Sequence, residues 1–247
     1  MIIVGIGICG PDEAKRNMRK TLEEFKRLCD KVVIVTNNVT KNEIDLIEEY
    51  GFEHYEDNRE WGIHQPSIKT DLLTYVGKYN PDWIIPLDMD EVFAPEFTRE
   101  EAERLASKKE IAYNFMIVNL YNDDEHFAHD VGIQRFWNIR FFKFMPEYGL
   151  QFQKKNLHCG WAPPVMYKYG WHAPYYILHR GLQKPEDRVR KAQRYDKYDP
   201  SSKFKSKLYY DDLRKELKMF KFDSKGLLAK LKESVDCKDR IMPKLKQ

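Results

Sequence analysis

Over the first 90 residues apolar runs too short for helices alternate with helix-period stretches, and this alternation restricts the fold more than any other feature. Residues 1–7, MIIVGIG, are bounded by glycine and read as a buried strand. From Pro11 and Asp12 onward, Met18, Leu22, Phe25, Leu28 and Cys29 recur every three or four residues, which predicts a helix with one apolar face. KVVIVTN (31–37) reads as a second strand. Thr40 and Glu43 spell a capping box ahead of Ile44, Ile47 and Tyr50, and Gly51 suits the left-handed position past the helix end. FEHY is a third strand; Pro66 is expected to open a helix striped by Ile68, Leu72, Leu73, Val76 and Tyr79; WIIPL is a fourth strand. Such a βαβαβαβ pattern predicts an α/β fold: a central, mostly parallel sheet flanked by helices, with ligands gathered at the carboxyl ends of the strands.

Further along the pattern changes. Thr98 and Glu101 cap another helix, after which IAYNFMIVNLY (111–121) and FWNIRFFKF (136–144) read as long strands with no helix between them, so part of the sheet is mixed. Residues 146–178 read as loop-rich. From about Pro185 the chain turns helical, with Leu208, Leu213, Leu217 and Phe220, then Leu227, Leu228 and Leu231, on apolar stripes. There is no internal repeat or low-complexity segment. The expected organisation is one domain over residues 1–202 and a basic helical extension over 203–247.

Charge divides unevenly. Residues 180–247 hold 21 Lys+Arg and 11 Asp+Glu, a net of +10, whereas residues 1–179 hold 21 and 28, a net of −7. The basic tail reads first as a solvated helical surface, with contact to a membrane periphery or an acidic partner as the other reading; no nucleic-acid partner is expected. No run of about 18 apolar residues exists, and the N-terminus lacks the basic start and cleavage site of a signal peptide, so a cytoplasmic protein is expected. Cys9, Cys29, Cys159 and Cys237 form no C-x-x-C pair and read as reduced thiols.

Two motifs compete for the chemistry. Gly5, Gly7 and Gly10 form a literal G-x-G-x-x-G, but the acidic residue that a dinucleotide site wants at the end of the second strand is replaced by Thr36, Asn37 and Asn38, so a steric role is favoured. The second motif is Asp88-Met89-Asp90-Glu91. Strand alternation would turn Asp88 and Asp90 to one face and Met89 into the core. Hard divalent cations take oxygen ligands, and Mg²⁺ is usually held by one or two carboxylates together with substrate phosphates. An apolar frame on both sides makes a merely solvated acidic turn the weaker reading.

DWIIPLDMDEVF (82–93) resembles the D-x-D stretch of family 2 glycosyltransferases with the GT-A fold. Downstream, IRFFKFMPEYGLQFQKKNLH (139–158) and YILHRGLQKPEDRVRKAQRY (176–195) resemble the family's later segments, and the similarity covers about residues 1–198. The resemblance implies a GT-A-like nucleotide-diphospho-sugar transferase fold and transfer of a sugar to an acceptor hydroxyl, on a glycan, a lipid-linked carrier or a protein. It implies Mn²⁺ or Mg²⁺ on the diphosphate and an inverting course. Asp90 would be the surer metal ligand, with Asp88 near the ribose or sugar and able to join the metal, and His179 would complete that site. Lys69 would help hold the nucleotide. Gly7 and Asn37 at the first two strand ends, and Arg180 beside His179, complete the donor-binding candidates.

The chain departs from the family where Cys159 follows His158 in place of a glutamate, and where Gly7 to Gly10 replace the usual end of the first strand. The base is therefore sought in YNDDEHFAHD, with Asp123, Asp124, Glu125 and Asp130 as candidates, although an acidic turn would read the same way. A haloacid dehalogenase-like phosphatase is the rival enzyme, since LDMDEVF approaches that nucleophile motif; Glu91 and the motif's place on the fourth strand oppose it. A non-catalytic nucleotide-sugar-binding protein is the other alternative.

Overall fold

The computed structural model describes residues 1–128, 135–153, 159–203 and 205–238. The strands are β1 (Ile3–Cys9), β2 (Lys31–Thr36), β3 (Glu53–Glu56), β4 (Trp83–Asp88), β5 (Glu91–Phe93), β6 (Ala112–Asn119), β7 (His126–Ala128), β8 (Phe136–Lys143), β9 (Gly170–His179) and β10 (Met219–Lys221). The helices are α1 (Met18–Leu28), α2 (Lys41–Glu49), α3 (Trp61–Val76), α4 (Arg99–Ala106), α5 (Pro164–Lys168), α6 (Pro185–Tyr198), α7 (Lys207–Asp212) and α8 (Ser224–Lys238). Eight strands form one sheet in the order β3-β2-β1-β4-β8-β6-β9-β5, while β7 and β10 make a small antiparallel pair.

β3, β2, β1 and β4 are parallel neighbours, as the alternation predicts. β8 is antiparallel to both β4 and β6, β9 runs parallel to β6, and β5 closes the edge antiparallel to β9. Strand alternation divides the core. Ile3, Ile85 and Leu87 face α1 and α4 with Phe25, Phe93, Phe97 and Phe115, whereas Val4, Ile6 and Ile84 face α3 with Ile68, Leu72 and Val76. The glycines of the G-x-G pair lie inside β1 on the α1 side. A Cβ on Gly5 would sit 2.6 Å from the Phe25 ring, and one on Gly7 would sit 2.2 Å from Met89 Cε.

The Glu43 carboxylate accepts from the Thr40 N–H at 2.9 Å, Thr98 Oγ1 caps the Glu101 N–H, and Gly51 sits at φ +69°. Three expectations change. α1 starts at Met18 because Arg16 holds residues 11–17 in a turn through the Pro11 and Asp12 carbonyls. α3 starts at Trp61, so Pro66 lies inside it; the turn ahead of the proline is anchored from outside, where Glu60 accepts from Lys197 and Tyr198. The largest change is β9, a ten-residue strand within a stretch that reads as loop. Its mixed polarity and Pro174 hide it, and the register shift opposite Asn114 to Met116 accommodates the proline.

Described residues between 209 and 231 pack onto the body of the fold. Tyr210, Leu213 and Leu217 join Tyr121, Ala128, Leu182 and Ala192, and Leu231 packs with Ala94, Val118 and Tyr176. Phe220, expected on a helix, pairs with Phe127 in the β10–β7 ladder, and Leu208 is exposed. No described helix is long and apolar enough to cross a membrane.

Candidate active site

The acidic motif falls at the carboxyl end of β4, beside β1 and level with the end of β9. Strand geometry ends at Asp88; Met89 and Asp90 form the turn into β5, with Met89 buried in the α1-side core. As a result the three carboxylates have different partners.

Glu91 is fully buried and receives both Arg140 Nε and Nη2 at 2.7 Å, a bidentate ion pair. Burial raises the Glu91 pKa, and Arg140 works against that rise. Asp88 takes the same guanidinium at 3.1 Å on one oxygen and the Trp161 indole N–H at 2.9 Å on the other. Part of the positive charge that the motif requires is therefore internal, supplied by a β8 residue.

Asp90 is the exception. Its Oδ2 lies 3.4 Å from His179 Nε2, and its Oδ1 is buried with no hydrogen-bond partner among the described residues. Burial would raise its pKa, yet His179, Lys191 and Arg16 together hold it well below the usual carboxylate range. Lys191 Nζ stands 3.4 Å from His179 Nε2, and His179 Nδ1 lies 2.6 Å from Asn119 Oδ1. Gly181 completes this corner. A Cβ there would meet Asp90 Oδ2 at 2.3 Å, Lys191 Nζ at 2.8 Å and His179 Nε2 at 2.9 Å, so the missing side chain leaves a small cradle between a carboxylate and an imidazole.

The donor set fits a divalent ion shared with a ligand. The Asp90 carboxylate suits Mn²⁺ or Mg²⁺, the His179 nitrogen suits the less hard Mn²⁺ better than Mg²⁺, and diphosphate oxygens would supply the remaining positions. Among the described residues no group of three or more His, Cys, Asp or Glu gathers to hold a metal by itself.

Glu13 lies between β1 and α1 in the same charged neighbourhood. Burial and the charge of Asp90 push its pKa up to about 7, while Arg16, at 2.7 Å, opposes them. Arg190 donates to Asp187 at 2.8 Å, and Arg16 approaches that carboxylate at 3.7 Å.

Other predicted site residues have structural partners. Lys69 is buried, donates to the Cys159 and Gly160 carbonyls at 2.7 and 3.2 Å, and sits 4.0 Å above the Trp161 ring; burial lowers its pKa to about 8. Asn37 ties the end of β2 to the Asp57 and Arg59 carbonyls at 2.5 and 2.9 Å. Arg180 donates its backbone N–H to the Asp90 carbonyl at 2.8 Å and pairs its guanidinium with Asp124. Asp124 also accepts from Gln183 at 2.6 Å and Lys20 at 3.2 Å; against burial, these partners lower its pKa. Asp123 binds the His126 ring and caps the Glu125 and His126 N–H groups, which lowers its pKa too. Glu125 is exposed, and Asp130 and His158 lie outside the described residues. Arg140, Trp161, Asn119 and Glu13 are site residues that sequence reasoning missed, since each arrives from a distant strand, loop or turn.

No protein-family model and no curated protein matches the chain by sequence. Solved structures do. The crystal structure of S. aureus TarS aligns at a TM-score of 0.52 and 10% identity over 87% of this chain, which spans 42% of that one. The 1–349 segment of TarS in complex with UDP-GlcNAc aligns at 0.52 and 10% identity, covering 86% of this chain and 70% of that one. A further structure of TarS 1–349 aligns at 0.50 and 10% identity over 100% and 76%. The likeness is one of fold: with parallel strands β3-β2-β1-β4 and a mixed continuation, the chain has a GT-A-like α/β fold.

Proposed function

We propose that the protein is a metal-dependent glycosyltransferase that moves a sugar from a nucleoside diphosphate sugar to an acceptor hydroxyl. The Asp90–His179 pair around the Gly181 cradle carries this reading: Asp90 Oδ2 faces His179 Nε2 at the cradle while its other oxygen, Oδ1, is buried with no hydrogen-bond partner among the described residues, an arrangement that a purely structural turn does not require. The UDP-GlcNAc complex of TarS 1–349 supports a nucleotide-sugar donor. A bound Mn²⁺ or Mg²⁺ would stabilise the charge that develops on the departing diphosphate.

The chain's own groups have distinct duties in this reading. Asp90 and His179 hold the ion. Lys191 adds a fixed positive charge beside them, in a partly buried corner where it stabilises an anion better than in open water. Asp88, oriented by Arg140 and Trp161, presents a half-exposed carboxylate to the ribose or sugar rather than serving as a first choice of metal ligand. Lys69 positions the Trp161 loop that orients Asp88, in place of touching the nucleotide. Glu13, held near neutrality, is the described carboxylate best matched to accepting the acceptor hydroxyl proton in an inverting transfer, ahead of Asp123 and Asp124 with their lowered pKa values. Asp130 stays a candidate base from the sequence.

Asp90→Ala tests the reading. UDP or GDP with Mn²⁺ should raise the thermal midpoint of the wild type, since saturation at about 100 times Kd adds roughly 2.7 kcal/mol of stability. The variant should lose that rise. An undiminished rise in Asp90→Ala rejects the metal assignment, and nucleotide binding without sugar transfer to any acceptor class supports the non-catalytic alternative. Hydrolysis of a simple phosphate monoester would favour the phosphatase.

A further inference from the structure

Asn119 ends β6 and His179 ends β9, and the parallel register places them side by side. The Leu120 N–H donates to the His179 carbonyl at 2.9 Å, which fixes the two backbones to each other. Asn119 is only 4% exposed, and its side chain meets His179 Nδ1 at 2.6 Å. On the opposite edge of the ring, Nε2 is 3.4 Å from Lys191 Nζ and 3.4 Å from Asp90 Oδ2.

These contacts determine where the imidazole carries its proton. The amide oxygen of Asn119 can only accept, so the ring nitrogen 2.6 Å from it carries a hydrogen, whereas Nε2, flanked at equal distance by the donor Lys191 and the acceptor Asp90, holds a lone pair only in the neutral ring. The Nδ1 proton is therefore the one that Asn119 fixes, in the neutral ring as in the charged one. A second proton on Nε2 would leave the Nδ1–H bond to Asn119 unchanged, so one amide orientation serves both charge states. A histidine that ligates a metal through one nitrogen almost always donates from the other to a carboxylate or carbonyl oxygen.

We propose that Asn119 is a positioning residue that holds His179 as the Nδ1–H tautomer, with the Nε2 lone pair turned to Asp90 and the cradle at Gly181. This rests on the reading of Asp90 and His179 as metal ligands. Asn119 does not itself touch the donor. A buried asparagine that merely pairs two strands would leave the tautomer and the ion affinity alone, which separates the two roles.

Two measurements test the proposal. In the metal-free wild type, long-range ¹H–¹⁵N correlation of the His179 ring across pH, identified by its loss in His179→Gln, should show Nδ1 protonated throughout and Nε2 unprotonated once the ring is neutral; a neutral ring protonated on Nε2 overturns the proposal. With UDP present, free Mn²⁺ followed by electron paramagnetic resonance should show affinity about 10–100-fold weaker in Asn119→Leu. Asn119→Asp keeps an acceptor oxygen and should stay within a few-fold of wild type. Equal affinity in Asn119→Leu and wild type, or equal losses in both variants, overturns the proposal. If Asn119→Leu does not fold, the wild-type tautomer and the Asn119→Asp titration still decide the matter. A wild type with the expected tautomer that binds no Mn²⁺ would overturn the metal reading while leaving the hold of Asn119 on the ring intact.

Discussion

Arg140 explains why three acidic groups in four positions do not destabilise the end of β4. Its guanidinium is buried, engages Glu91 through two bonds and reaches Asp88 with one. Arg140→Met should cost about 3–5 kcal/mol in urea denaturation, because Glu91 would remain buried without its partner. The double variant Glu91→Met with Arg140→Met should recover most of that loss, since a buried ion pair replaced by apolar groups of similar size is often close to neutral. Gly181→Ala is the complementary test at the ion site. Its new Cβ enters the space between Asp90 and His179, so Mn²⁺-dependent UDP binding should weaken by at least about tenfold, alongside a loss of stability of about 1–3 kcal/mol from the crowding. Asp90 and His179 were legible as candidates because short motifs flank them. Arg140 was not: it lies in FWNIRFFKF, about 50 residues beyond the motif, and only the register of β8 against β4 brings it there.

At the level of elements, the parallel half of the sheet was readable because local chemistry and tertiary position agree there. Short apolar strands, the Thr40–Glu43 box and Gly51 all act within a few residues. β9 was not readable, as its residues suit a strand only between β6 and β5, where the register shift also absorbs Pro174. Pro66 misled for a related reason, because the turn of α3 ahead of it depends on Lys197 and Tyr198 of α6. Glu13, in the turn between β1 and α1, provides a pH test. Its pKa is raised, to about 7 from an ordinary 4.5, so the folded state binds more protons than the unfolded one across that interval. Its favourable contribution is complete below about pH 4.5 and is lost as pH rises through about 7, a change on the order of 3 kcal/mol. Glu13→Gln should flatten that part of the stability–pH curve from urea denaturation and be more stable than wild type above pH 7.

For the molecule as a whole, described residues between 209 and 231 belong to the packed body. Tyr210, Leu213, Leu217 and Leu231 are buried against residues of β6, β9, α6 and the turn near Tyr121. Removing several such side chains, each worth about 2–5 kcal/mol on truncation, should abolish a cooperative melt by circular dichroism when residues 203–247 are deleted. An unchanged melt would show that the segment is dispensable to the fold. The sheet order also has a consequence for when the proposed ion site comes into being. Among the described strands β5 pairs with β9 alone, and β9 enters between β5 and β6 after about 170 residues of chain have been made. Until then Asp90 sits on an unpaired edge without its imidazole. Contacts that join distant parts of a chain form late because loop closure precedes their reward. Capacity to capture Mn²⁺ with UDP should therefore emerge only in the last kinetic phase of refolding, which makes ion capture a clock for completion of the sheet.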